Sequence, residues 1–220
     1  MAALFEQLLE APDLKLLIEK LEHELSQESE QRKAFYDWVR EDQKAEFING
    51  EIILHSPVKR AHWTAVGNLQ TLLHSHVLLS DLGEVATEKA MISLTRNDYE
   101  PDICFWNKSK SDIFTEDMML HPAPDLIVEV LSRGTAKKDR GIKFTDYAAH
   151  GIVEYWLIDA QKKEVEQFVL TADNEYVLLA KAKGDTVVRS QVVVGFEIKV
   201  VAIFDKKENM IALKKMFKSN

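Results

Sequence analysis

Two short apolar runs of the sequence each carry an acidic residue that such runs normally exclude. They are Pro101-Asp102-Ile103-Cys104 and Asp125-Leu126-Ile127-Val128-Glu129-Val130-Leu131. An ionised carboxylate that leaves water costs several kcal/mol unless a cation or dense hydrogen bonding compensates it. Asp102 and Glu129 therefore indicate a shared divalent metal ion held by carboxylate oxygens, and with it metal-dependent hydrolysis.

Each acid also has an ordinary structural explanation. Asp102 follows Pro101, whose missing N–H suits the beginning of a strand, so its carboxylate could simply accept hydrogen bonds at a strand end. Glu129 shares a strand face with Ile127 and Leu131 by period-two alternation. It could form an ion pair with a basic side chain instead of binding a metal.

A basic segment follows the second acidic run directly. Residues 132–143 hold five Lys or Arg residues against one acid, and Thr135 is placed as a helix N-cap. Asp139, Lys143 and Tyr147 are spaced four apart, so a helix would carry them on one stripe, from which Lys143 could reach back toward Glu129. The common alternative for such a charge run is a solvated helix face with a routine salt bridge.

The elements that must position these residues alternate between strands and helices. The first 44 residues predict two helices separated near residues 26–30, and Asn49-Gly50 between two apolar runs predicts a hairpin. A helix over 61–79 should lie against a sheet with Trp63 on its apolar side, and a helix over 136–150 should connect two parallel strands. The predicted strands are 84–94, 99–106, 125–131, 153–159, 163–170, 175–181 and 186–203.

Composition bounds the class of protein. The chain has 220 residues, 46% of them hydrophobic, which suits one sizeable core. A single cysteine, Cys104, excludes an intramolecular disulfide and predicts a reducing, cytoplasmic location. The opening residues carry acids and no basic leader, and no long uncharged apolar stretch occurs, so neither a signal peptide nor a membrane span is expected. A net charge of −8 argues against broad nonspecific nucleic-acid affinity, although a local basic surface is compatible with it.

The ordered motifs resemble those of a known family. Ala45 to Glu51, His62, Pro101-Asp102, Pro124 to Ser132, Asp139, Lys143, Tyr147 and Glu154 to Asp159 are similar to the pattern of the Uma2 family, restriction-endonuclease-like proteins of the PD-(D/E)XK nuclease superfamily. The resemblance implies a mixed central β-sheet flanked by helices over residues 35–205. Residues 1–34 would be an N-terminal helical extension, and 206–220 a C-terminal basic tail.

The resemblance also implies roles for individual residues. Asp102 and Glu129 would bind Mg²⁺ or Mn²⁺ with the carbonyl of Val130, and Glu46 would be a further acid at the metal. Where the superfamily pattern has a lysine two residues after the second acid, this chain has Leu131, so Lys143 is the candidate replacement. His62 would face the site from a helix start, where it could bond a metal ligand or a substrate phosphate; a partly exposed helix histidine is the alternative.

These residues predict an endonuclease that hydrolyses DNA. A catalytically weak or inactive nuclease fold that binds DNA or protein is the alternative, which Leu131 and the acidic helical start favour. A metal hydrolase with a substrate other than nucleic acid is a third reading, because no aromatic-studded basic groove is evident. The leucine-rich opening segment could supply a self-complementary patch, so a homodimer is compatible with the sequence.

Overall fold

A computed structural model describes residues 2–40 and 42–219, which fold as a mixed α/β domain. The helices are α1 (Ala2–Leu9), α2 (Leu14–Trp38), α3 (Arg60–Leu79), α4 (Lys108–Ser111), α5 (Ala136–Asp139), α6 (Ile142–Ala149), α7 (Val201–Phe204) and α8 (Lys206–Ser219). The strands are β1 (Ala45–Ile48), β2 (Glu51–Leu54), β3 (Gly83–Thr87), β4 (Met91–Ser93), β5 (Asp98–Tyr99), β6 (Ile103–Asn107), β7 (Leu120–His121), β8 (Leu126–Val130), β9 (Glu154–Asp159), β10 (Glu164–Leu170), β11 (Tyr176–Lys183), β12 (Val187–Arg189) and β13 (Glu197–Lys199). The predicted fold class, a mixed sheet flanked by helices with a helical N-terminus, is confirmed.

The larger sheet has six strands in the order β11-β10-β9-β8-β6-β3. β8 and β9 run parallel and are joined through α5 and α6, which confirms the predicted crossover; the other neighbours pair antiparallel. Val128 and Val130 on one face of β8 pack into the core under α3, while Ile127 on the other face joins an aromatic cluster. The side chains of β8 therefore alternate between its two faces as predicted, and Glu129 lies on the same face as Ile127.

The smaller sheet has the order β2-β1-β5-β4-β7 and begins with the predicted hairpin. Asn49 and Gly50 form its two-residue turn with φ of 49° and 81°. Positive φ at both positions is what a type I′ turn needs, and Asn-Gly adopts it at little cost. The resulting register pairs Ala45 with Leu54. The residues just outside the two strands, Lys44 and His55, therefore lie on the same side of the hairpin as Glu46.

The last third of α2 is docked on this smaller sheet. The Arg32 guanidinium donates from Nε and Nη2 to the two carboxylate oxygens of Asp98, each at 2.6 Å, and Tyr36 donates to Asp98 at 2.9 Å. Phe35 stacks on Phe47 with ring centroids 5.6 Å apart. The predicted helix break near residues 26–30 is wrong: α2 runs continuously from Leu14 to Trp38, and the interruption lies at residues 10–13, where Pro12 cannot continue a helix.

Replacing Arg32 with methionine should destabilise the domain. The Asp98 carboxylate is fully buried, and removing its bidentate partner leaves a buried charge uncompensated, which costs about 3–5 kcal/mol. Urea denaturation of Arg32→Met measures the loss. Lys33→Met, one position along on an exposed side of α2, is the matched control and should unfold like the wild-type chain. Equal midpoints for the two variants would contradict the anchoring role of Arg32.

Several predicted boundaries need correction. The single strand expected over 84–94 is two strands, β3 and β4, in different sheets. The strand expected over 186–203 is two short strands, β12 and β13, followed by helix α7. Most of the segment predicted as a C-terminal basic tail is helical, as α8, and its separation from the domain stays a prediction. Trp63, expected on the apolar side of α3, is half exposed. None of the helices within residues 2–40 and 42–219 combines the length and the apolar character that crossing a lipid bilayer requires.

Candidate active site

A cleft of about 570 Å³ opens where the two sheets meet the start of α3 and the segment that follows β8. All five predicted site residues with side-chain roles line it, namely Glu46, His62, Asp102, Glu129 and Lys143. They come from β1, from the first turn of α3, from the position before β6, from β8 and from α6. Residues far apart in the sequence thus converge in space, as the resemblance implies.

Lys143 lies at the centre of this group. Its ammonium donates to Glu46 Oε1 at 2.7 Å and to Glu129 Oε1 at 2.9 Å, and Asp139 Oδ1 lies 3.7 Å away. Tyr147, one turn further along α6, donates to Glu129 at 3.1 Å. The predicted reach of Lys143 back to Glu129 is confirmed, and the predicted stripe of Asp139, Lys143 and Tyr147 does face the strand.

A glycine between α5 and α6 sets the direction of that stripe. The helix predicted over 136–150 is interrupted at Arg140-Gly141, where a Cβ on Gly141 would lie 2.8 Å from the Lys137 carbonyl oxygen. Only glycine allows this close backbone approach. The interruption starts a new helix at Ile142, whose first turn carries Lys143 into the cleft, where the side chain is 2% exposed.

Asp102 forms the other half of the site. Its Oδ2 accepts from the backbone N–H of Val130 at 2.7 Å, which fixes the carboxylate beside Glu129. Its Oδ1 accepts from His62 Nε2 at 3.2 Å and lies 3.4 Å from the Lys44 ammonium. Val130 therefore reaches Asp102 through its N–H, whereas the role predicted for it was that of a carbonyl ligand; that role stays a prediction.

Charge balance divides these carboxyl groups into two kinds. Burial acts to raise the pKa of Glu46, but the Lys143 ammonium and His55 outweigh it and lower the pKa to about 2. Burial is similarly outweighed at Asp102, whose pKa falls to about 2 through His62 and Lys44. One ammonium cannot neutralise every neighbouring acid, so burial raises the pKa of Glu129 to about 8 and also raises that of Asp139.

Three further residues of the site were not predicted from the sequence. Lys44 contacts Asp102, His55 Nε2 lies 3.1 Å from Glu46 Oε2, and Glu100 accepts from the backbone N–H of Ala45 at 3.0 Å. Burial raises the pKa of Glu100 to about 7. The predicted hairpin could have identified two of them, because Lys44 and His55 flank its two strands. A backbone hydrogen bond of 3.0 Å joins these two residues.

The donor set suits a hard divalent cation. Asp102, Glu129 and Glu46 present carboxylate oxygens to one cleft, and these are the ligands that Mg²⁺ and Mn²⁺ prefer. Glu46 Oε2 is buried without a hydrogen bond of proper geometry, since His55 is near but poorly aligned. The carboxylates nevertheless turn toward Lys143, His62 and Lys44, and within the described ranges no three His, Cys, Asp or Glu side chains are already arranged as a metal site.

Basic side chains surround the acids at the mouth of the cleft. Lys59 precedes α3, while Arg133 and Lys138 belong to the segment after β8. The hydroxyl groups of Ser132 and Thr135 lie 3.0 Å apart and tie this segment together, although Thr135 makes no side-chain cap to the helix it precedes. The cleft therefore combines an acidic floor with a basic rim, and among its described lining residues there is no Phe, Tyr or Trp.

Comparison with known proteins identifies the family to which this chain belongs. Residues 32–201 match the family model Uma2, described as "Putative restriction endonuclease". The chain belongs to the Uma2 family. It is 26% identical over 168 residues to "Uncharacterized protein slr1290" of Synechocystis sp. (strain ATCC 27184 / PCC 6803 / Kazusa), an alignment that covers 74% of this chain and 85% of that protein.

A solved structure supports the fold of this Uma2 chain. A crystal structure described as "a putative nuclease belonging to DUF820" from Anabaena variabilis ATCC 29413 aligns with a TM-score of 0.66 at 18% identity. The alignment covers 77% of this chain and 94% of that one. The match to the Uma2 model begins at Arg32, so α1 and the greater part of α2 precede it.

Proposed function

We propose that this Uma2 protein is a metal-dependent endonuclease that hydrolyses phosphodiester bonds in DNA. The observation that carries the proposal is the convergence of Asp102, Glu129 and Lys143 in one cleft whose rim is basic. Membership in a family described by nuclease activity supports the reaction class. A reducing cytoplasm would suit the chain, since its lone cysteine, Cys104, is buried and unpaired.

Asp102 and Glu129 would hold Mg²⁺ or Mn²⁺, with Glu46 and the Val130 carbonyl as further ligands. When bound, such an ion polarises a phosphoryl oxygen and lowers the pKa of a water molecule. The Val130 N–H and His62 hold the Asp102 carboxylate in one orientation, so its position is set before any ligand arrives. The supporting residues of the site are therefore preorganised.

Lys143 would act on the substrate side of the site. An ammonium is a compact cation with three donors, and two of these go to Glu46 and Glu129. The ion pairs fix its position in a buried place, where a positive charge stabilises a developing negative charge more strongly than in water. It would orient the attacking water or stabilise the charge that develops on the phosphate.

The rim would bind the sugar-phosphate backbone. Lys59, Arg133 and Lys138 can each neutralise a phosphate, which supplies affinity without reading sequence. Without aromatic rings in its described lining, the cleft offers no stacking surface for unpaired bases. Contact through phosphates favours duplex DNA over single strands.

A DNA- or protein-binding module without turnover is the second candidate. The observation that favours it is the closed pairing of Lys143 with Glu46 and Glu129, which occupies acids that a metal would need. Such a protein would retain the basic rim and bind duplex DNA while leaving it intact.

Incubation with supercoiled plasmid tests the two candidates. The endonuclease proposal expects nicked product with Mg²⁺ or Mn²⁺ and none with EDTA. A mobility shift with no nicking under any metal condition would establish the binding module instead. If the chain neither shifts nor nicks DNA, the endonuclease and the DNA-binding module both fail, and a protein-binding module or a metal hydrolase with another substrate becomes the hypothesis to pursue.

A further inference from the structure

The first half of α2 presents apolar side chains to solvent. Ile18, Leu21 and Leu25 are 44%, 57% and 53% exposed, and Leu14 and Leu17 on the same face are only partly covered. We call these five residues the leucine stripe. Exposed apolar surface of this kind, ordered along one helix face, is typical of a protein–protein contact. The stripe precedes the residues that match the family model.

The stripe projects from a helix that is firmly held at its other end. The same helix face continues from Leu25 through Glu28, Arg32 and Phe35 at steps of three and four residues. There it is fixed by the Arg32–Asp98 pair and by a Glu28–Arg96 ion pair of 2.7 Å. The anchored end thus gives the exposed end a fixed direction, so a partner meets a preformed helix and not a flexible segment.

We propose that the leucine stripe pairs antiparallel with the leucine stripe of a second copy of this chain. Leu14, Ile18, Leu21 and Leu25 alternate at steps of four, three and four, which is the spacing of core positions in a two-stranded coiled coil. In antiparallel order Leu14 packs against the partner subunit's Leu25, and Ile18 against the partner subunit's Leu21. Two-fold symmetry repeats both contacts, so all the core layers are apolar.

The charges beside the stripe select the antiparallel arrangement. Lys15 and Glu22 lie on the same flank of the core positions, and like flanks face each other when helices run antiparallel. Lys15 then lies opposite the partner subunit's Glu22, once at each end of the contact. On the other flank, Leu17 faces a glutamate in either arrangement: the partner subunit's Glu24 in the antiparallel pair and the partner subunit's Glu22 in a parallel one. A parallel pair would bring no opposite charges together within residues 14–27, so the Lys15–Glu22 pairs decide the orientation. Complementary flanking charges set the orientation of such pairs.

The size of the contact predicts its strength. The segment from Leu14 to Leu25 is twelve residues long, slightly less than two heptads, and spans roughly 17 Å of helix. A contact of this length is at the low end of interface sizes, where association is weak and reversible. We expect a dimer that forms at about micromolar concentration and dissociates on dilution.

Sedimentation velocity of the full chain over a range of concentrations tests the association. Ile18→Glu combined with Leu21→Glu places acids opposite each other in the core, so we expect the dimerisation constant to fall at least about a hundredfold. Leu16→Glu is the matched control, because Leu16 is 59% exposed on the opposite side of α2 and should dimerise like the wild-type chain. Unchanged circular dichroism would show that the variants fold.

Two results would overturn the association. One is a wild-type chain that remains monomeric throughout the range. The other is a double variant that dimerises as strongly as the control.

Charge exchange tests the orientation. Lys15→Glu and Glu22→Lys alone each replace two attractive pairs with two repulsive pairs, so each should weaken the dimer about tenfold. The two substitutions together restore opposite charges and should recover wild-type association. A combined variant that is weaker than either single variant would overturn the antiparallel register.

Cross-linking gives an independent readout of the same register. Chains with Leu14→Cys are mixed with chains with Leu25→Cys and oxidised; the native Cys104 is buried and does not compete. The antiparallel register expects disulfides mainly between the two different variants. Disulfides that form mainly between identical chains would indicate parallel helices and contradict the proposal.

Discussion

Asp102→Asn should lower metal-dependent nicking of plasmid DNA by about a thousandfold or more. The asparagine keeps the size of the side chain but removes the negative charge that a cation requires. The wild-type chain should also melt at a higher temperature when Mg²⁺ or Mn²⁺ is added, since a ligand that binds only the folded state stabilises it. Asp102→Asn should lose this shift, so metal binding is measured separately from turnover.

Asp125→Asn is the matched control for this substitution. Asp125 is another buried aspartate, but it lies before β8, at the end of that strand opposite to Val130, where it accepts from the backbone N–H of Asn107 at 2.7 Å. Asp125→Asn should lower the free energy of unfolding but leave both nicking and the metal-induced rise in melting temperature in place. If Asp102→Asn keeps both full nicking and the metal-induced melting shift, the proposed site is contradicted. If nicking persists unchanged while the shift is lost, a contaminating nuclease is indicated.

Lys143→Met should be the most destabilising single change in the cleft. The methionine fills much of the same space but leaves Glu46 and Glu129 buried side by side without their shared cation, at a cost of about 3–5 kcal/mol. Chemical denaturation measures the loss in the free energy of unfolding. Nicking should fall as well, and more than the metal-induced melting shift, because Lys143 acts on the substrate and not on the ion.

The stability of Lys143→Met should depend on pH in a defined direction. Burial raises the pKa of Glu129 from 4.5 to about 8 even beside the ammonium, and removing the ammonium raises it further. The folded variant thus keeps a proton that the unfolded chain releases above pH 4.5, so its stability falls as pH rises through this window. The wild-type chain keeps the Glu129 proton up to about pH 8 as well, so the deficit relative to it grows only above that pH and should be smaller near pH 5 than near pH 9.

A second substitution separates electrostatics from packing. Adding Glu46→Gln to Lys143→Met removes one of the two buried acids left without the ammonium and should recover part of the lost stability without recovering nicking. If the double variant is no more stable than Lys143→Met, the loss comes from packing around the lysine stem. If Lys143→Met is as stable as the wild-type chain, the ion cluster does not hold the fold together.

The sequence was sufficient to predict those parts of the site that depend on local patterns. Alternation along β8 isolated Glu129, Asn-Gly fixed the first hairpin, and four-residue spacing placed Lys143 and Tyr147 on one side of a helix. Each of these depends on neighbours in the chain, so a short window contains the information. The fold class followed from the same elements together with the resemblance to the family.

The parts that were missed depend on contacts between distant segments. Lys44 and His55 carry no distinctive pattern in the sequence and reach the acids only because the hairpin pairs with β5, the short strand that precedes Asp102. The continuous α2 was also missed, because polar residues 26–30 look like a break until Arg32 and Phe35 dock the helix. Gly141 interrupts a predicted helix for a reason visible only in three dimensions, the approach of the Lys137 carbonyl.

The position of Lys143 affects how relatives of this protein should be sought. Its side chain enters the cleft from a helix, fourteen residues beyond Glu129, and so it supplies the positive charge without occupying the strand. A search that demands lysine at a fixed offset from the second acid would pass over this chain and over any other with the same arrangement. Candidates are better recognised by where a lysine ammonium lies relative to the acids in the structure than by the number of residues that separate the lysine from the second acid in the sequence.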